Sequence, residues 1–106
     1  MIIDKRLYVG CMPDRSVIRI IRKIKKFKLC TNVYVVTLPL FHDGMLEIYN
    51  MNEFQQKLYR DMEDSIHIVG IAPTRRMAVY LVRDIVDDVY KKTGGFDMES
   101  YFSNAG

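Results

Sequence analysis

Thr74-Arg75-Arg76 is the segment of this chain best placed to hold an anion. It follows an apolar run and Pro73, and from there apolar residues recur at helical spacing. Free backbone N–H groups at a helix start favour negative charge, while the helix dipole disfavours cations there. Two arginines at that position are therefore in local conflict. A phosphate or carboxylate ligand would resolve it, as would an acid from a neighbouring element or chain. No Gly-rich loop precedes the pair and no Lys-Ser/Thr follows it, so this is not a P-loop.

A second basic feature is the series Arg15, Arg19, Arg22 and Lys26. Its spacing of three or four residues puts all four on one helical ridge that can track phosphates. The ridge lacks the groups that read base edges, so nucleic-acid binding through it would be non-specific and salt-sensitive. The same spacing also describes an ordinary solvated face.

Cys11 and His42 each sit just beyond a strand-like segment. A thiolate and an imidazole brought together there would make a usable nucleophile. The spacing from Cys11 to Arg15 does not match a phosphatase loop, and Cys30 is not at redox spacing. His42-Asp43-Gly44 is accounted for as a turn, and His67 between Ile66 and Ile68 as a packed strand histidine. Two His and two Cys are too scattered for a metal site. The residues point away from an enzyme and imply no cofactor and no metal.

The elements that must carry these residues follow from periodicity. Residues 6–11 are strand-like, rich in β-branched and aromatic side chains, and stopped by Met12-Pro13. From Asp14, a reasonable N-cap, Val17, Ile20, Ile21, Ile24 and Phe27 share one side of a helix. Residues 32–38 form the clearest strand, and Asp43-Gly44 offers a tight hairpin to a returning strand over 45–49. Asn50 and Glu53 have capping-box spacing, predicting a second helix over about 51–63 with Phe54, Leu58 and Met62 inward. Residues 65–72 are another strand. A long helix then runs from about 74 to 92, with Thr74 as N-cap and Gly94 as its stop. Its stripe is Ala78, Leu81, Val82, Ile85, Val86 and Val89.

The order β-α-β-β-α-β followed by a long C-terminal helix predicts an α+β domain with the ferredoxin-like split β-α-β arrangement. The alternative is a small three-layer α/β sheet in which 45–49 is loop or edge. Val33 and Val35 oppose Tyr34, Val36 and Leu38, and Ile66 and Ile68 oppose Val69 and Ile71. Strands apolar on both sides need cover on both sides. The third helix is the first candidate for the second face, and a partner subunit is the other.

Leu7-Tyr8-Val9-Gly10 resembles the first-strand motif of RNA-recognition-motif domains, where such an aromatic stacks a base. The third-strand counterpart here reads Met-Leu-Glu-Ile-Tyr over 45–49, with Glu47 where a base platform wants no negative charge. The family assignment is therefore not made, and Tyr8 is read as sheet packing.

At 106 residues the chain is one domain by size, with 95–106 as a C-terminal tail. The apolar fraction of 49% and charged fraction of 27% exclude intrinsic disorder. Net charge is only +3, yet residues 1–30 carry nine Lys/Arg against Asp4 and Asp14, and the remainder is net acidic. Such polarity suits electrostatic steering or head-to-tail association. The chain has no apolar run of roughly 18 residues and no signal-peptide pattern, which predicts a cytoplasmic, reduced protein without a membrane span. The tail aromatics Phe96, Tyr101 and Phe102 must dock somewhere, on the chain's own helices or on a second subunit. These features together predict a small, non-enzymatic binding domain that forms a homo-oligomer. The alternative is a nucleic-acid or phosphate-ligand binder using the basic helix and Arg75-Arg76.

Overall fold

A computed structural model describes residues 1–26, 33–40 and 45–103. Phe27, Cys30 and His42-Asp43-Gly44, and with them the expected tight hairpin, lie outside the described residues.

The strands are β1 (Ile2–Val9), β2 (Tyr34–Thr37), β3 (Glu47–Asn50) and β4 (His67–Ala72). They form one mixed sheet in the order β1-β4-β2-β3. β1 is parallel to β4, while β2 is antiparallel to both β4 and β3. The ferredoxin-like arrangement needs the first two strands parallel with another strand between them. Here β1 is parallel to its direct neighbour β4 and β2 runs the opposite way, so the fold is α+β without the ferredoxin-like order. β3 and β4 do run the same way with β2 between them. β3 lies at the sheet edge, as the three-layer alternative anticipated, although β2 is not parallel to its neighbours.

Among the described residues four α-helices accompany the sheet: α1 (Asp14–Lys25), α2 (Lys57–Asp61), α3 (Arg75–Thr93) and α4 (Met98–Ser103). Ile20 and Ile24 of α1, with Met51 and Phe54, pack on Val33, Val35, Ile66, Ile68 and Ile71. On the opposite face Ala78, Leu81, Ile85 and Val89 of α3, with Met98, Tyr101 and Phe102, pack on Val36, Leu38, Val69 and Ala72. Both faces are thus covered within one chain, and the sheet itself needs no second subunit.

Ile71 lies with Ile66 and Ile68 rather than against them. The register explains this: Thr37 pairs with Ile68 and Val36 with Gly70, so Val69 is an extra residue that resets the alternation. β1 is irregular too, its partners stepping from Ile3↔Ile68 to Tyr8↔Gly70. Within that slip the Arg6 N–H donates to Asp4 Oδ1 at 2.8 Å.

Capping chemistry is mostly where the residues indicate. The Thr74 side chain accepts from the Met77 N–H, and Gly94 closes α3 with φ 76°. The capping box of Asn50 and Glu53 forms, but it opens a 3-10 turn over Met51–Gln55. The helix expected over 51–63 is broken accordingly into 3-10, α2 and a second 3-10 turn. Phe54 is buried and Leu58 exposed, because the break rotates Leu58 off the stripe. At α1 the N-cap position is Pro13, which makes no side-chain cap, and Asp14 is the first helical residue.

Candidate functional site

β1 runs into α1, and the parallel neighbouring β4 runs into α3. The two helices then lie on opposite faces of the sheet. Their starts therefore meet at one sheet edge, where Gly10 lies against Ala72 and the Gly10 N–H donates to the Ile71 carbonyl at 2.9 Å. A Cβ at Gly10 would stand 3.3 Å from the Ala72 Cβ, so this approach suits a residue without one. In open sheets such a divergence of helices beyond strand carboxyl ends is where ligands commonly bind.

Arg15, Thr74, Arg75 and Arg76 share this edge and are exposed. The first turn of α3 contains no acidic residue. Among the described residues none of these arginines forms an ion pair. Arg76 instead leans over the Tyr80 ring, 6.0 Å from its centroid. Arg19, Arg22 and Lys26 are likewise exposed and unpaired among the described residues, but they run away from the edge along α1. The anticipated anion segment and the start of the basic ridge thus lie at the same end of the sheet, on helices that cover its opposite faces; the remainder of the ridge runs away from that end. Cys11, exposed with φ 26°, stands at the same edge. Its expected partner His42 lies outside the described residues.

The outward side of α3 carries a different surface. A groove of about 830 Å³ is lined by Met45, Tyr80, Val82, Arg83, Asp84, Val86, Asp87, Tyr90 and Phe96. Tyr90 is 51% and Phe96 54% exposed, and their rings stack at 5.1 Å with a 19° tilt. Arg83 lies 5.9 Å from the Tyr80 centroid. The sequence reading treats α3 through its inward stripe alone. The missed signal is Val79, Tyr80 and Tyr90, which with Val82 and Val86 at the margin of that stripe extend the apolar surface outward.

The polar residues of the β1–α3–α4 side are tied together. Tyr8 Oη donates to Asp88 Oδ2 at 3.0 Å, and its ring meets Phe102 edge-on at 6.3 Å. Burial, then hydrogen bonds to Tyr101 and Asp88, push the Tyr8 phenol well above its ordinary range. A base cannot stack on a ring so covered. Tyr49 is buried against Phe54 and Tyr59, and Glu47 accepts from the Leu40 N–H at 2.7 Å and from Tyr49 Oη at 2.9 Å. The carboxylate that spoils a base platform therefore ties Leu40, just after β2, to β3.

His67 is half-buried, with Nε2 2.8 Å from Oδ2 of the buried Asp4. Asp4 itself is a lone acid in a basic stretch, and that isolation was its only signal in the sequence. Among the described residues no group of three or more His, Cys, Asp or Glu is arranged to hold a metal. No helix among them is long and apolar enough to cross a membrane. Comparisons with protein-family models, curated proteins and solved structures found no match, so a functional reading rests on this geometry.

Proposed function

We propose that this chain is a non-enzymatic binding domain that self-associates through the outward face of α3. The groove flanked by Tyr80 at one end and by stacked Tyr90 and Phe96 at the other carries this reading. Apolar rings standing in water are unfavourable unless a partner covers them, and Tyr and Arg are enriched in interface centres.

The occupant that fits is a second copy, because the outward ridge is self-complementary. About a two-fold axis level with Ile85, an antiparallel α3 pair brings Arg83 level with the second copy's Asp87, and the reverse. The same operation sets Tyr80 against the second copy's Tyr90 and Phe96. Each copy thus supplies one ring to the other's cleft and two charge pairs frame the contact.

Light scattering across a concentration series tests this, with a dimer expected at micromolar concentrations. Arg83→Asp should shift the chain to monomer by placing like charges opposite each other. Combining Arg83→Asp with Asp87→Arg should restore the dimer. A monomer at high micromolar concentration, or no rescue by the double exchange, would overturn the proposal.

A second reading is favoured by the convergence of Arg15 and Thr74-Arg75-Arg76 at one sheet edge. There the chain would bind a phosphate-bearing ligand or a nucleic-acid backbone through uncompensated arginines and two helix starts. Retention on nucleic acid that falls steeply with salt supports it, and unchanged retention in Arg75→Glu/Arg76→Glu sinks it.

A further inference from the structure

On the side of the sheet covered by α3 and α4, Arg6, Lys92, Thr93, Gly95, Asp97, Ser100 and Tyr101 line an open pocket of about 450 Å³. Its floor is Tyr101, only 7% exposed. The Arg6 guanidinium lies over the Tyr101 ring, 4.6 Å from its centroid, and Lys92 Nζ donates to Tyr101 Oη at 3.3 Å. Neither cation is within ion-pair distance of a carboxylate among the described residues. The one acid on the pocket wall is Asp97, and its Oδ1 already accepts from the Ser100 N–H at 3.1 Å.

Two exposed cations converging on one concave surface repel each other. They are held there by packing on the ring, not by a counter-charge. An oxyanion placed between them would satisfy both with charge-assisted hydrogen bonds, and the guanidinium fork suits the paired oxygens of a phosphate. We infer that the Arg6–Lys92–Tyr101 pocket binds the phosphate group of a small phosphorylated ligand.

The state of Tyr101 reports the same field. Burial raises its phenol, but hydrogen bonding with Tyr8 and Lys92 and the charges of Lys92 and Arg6 bring it below its ordinary value. An anion bound between those cations cancels their effect and returns the phenol upward.

Inorganic phosphate and phenyl phosphate, titrated at constant ionic strength against chloride, test the inference by NMR shifts of the Arg6, Lys92 and Tyr101 signals. Saturable binding is expected, weakened about tenfold or more by Arg6→Gln and by Lys92→Gln. Lys57→Gln, on α2, should leave it unchanged. Lys92→Arg keeps the charge and should retain binding, which separates loss of the site from loss of the fold. Phosphate should also reduce phenolate absorbance at fixed alkaline pH in the parent chain but not in Tyr101→Phe. Absence of saturation, or equal binding in Arg6→Gln and Lys92→Gln, would overturn the inference.

Discussion

The two faces of the sheet are closed by different means. On the first, α1 contributes Ile20 and Ile24 to the core, and Met51 and Phe54 of the broken 51–65 segment complete the cover. On the second, the 19-residue α3 lays four buried residues along the strands and α4 seals its end. The solvent sides differ as much. α1 is charged outward with Ile18 as its single exposed large apolar residue, whereas α3 carries exposed Val79, Tyr80 and Tyr90 with Phe96 beside them. A helix amphipathic about one stripe is a lid. A helix with a second apolar stripe is a lid that also offers a surface.

The largest test of this contrast lies within the C-terminal segment. Phe102→Ala should cost about 3–5 kcal/mol in urea unfolding, because that ring is fully buried over the second face. Phe96→Ala should change monomer stability by less than about 0.5 kcal/mol while weakening self-association. Equal effects of the two would erase the distinction between the packed and the docking side.

On the first face, Thr37 Oγ1 is buried without a hydrogen-bond partner among the described residues. Thr37→Val keeps the shape and removes the orphan, so stability should rise by about 1 kcal/mol. A loss of stability would mean that the hydroxyl is satisfied in solution.

The helix starts sharpen the comparison at smaller scale. Thr74→Ala should cost about 1 kcal/mol by freeing the Met77 N–H, whereas Pro13→Ala loses no side-chain cap. Chemical denaturation of both variants against the parent measures the difference.

The smallest effect is in pH. Tyr8 and Tyr49 are both raised, by burial first and then by hydrogen bonds, with Tyr101 and Asp88 for Tyr8 and with Glu47 for Tyr49, so the folded chain keeps protons that the unfolded chain releases above about pH 10. Their contribution is full below the unfolded value and is lost as pH rises through the folded values. Tyr101 is lowered and acts in the opposite sense. Urea midpoints should therefore fall above about pH 10, and less steeply in Tyr49→Phe.

Much of this molecule is set by short stretches of sequence. Thr74 caps α3 and Gly94 ends it; Asn50 and Glu53 close their box; Val33 and Val35 part from Val36 and Leu38 onto opposite faces. Each depends on backbone geometry and side-chain chemistry within a few residues, so periodicity and cap spacing reveal it. The basic ridge and the Arg75-Arg76 segment were legible for the same reason.

Tertiary structure alone decided the rest. Strand order depends on which backbone edges pair, and the side chains, which point above and below the sheet, do not mark an edge for one partner. The bulge at Val69 that returns Ile71 to the first face exists only against its partner strands. The anion pocket joins Arg6 to Lys92 and Tyr101 across most of the chain, with no spacing to betray it. The starts of α1 and α3 lie at the same end of the sheet only because β1 and β4 are parallel neighbours. The two-sided apolar pattern demanded cover for both faces; the packing of α3 and α4 determined that one chain supplies it.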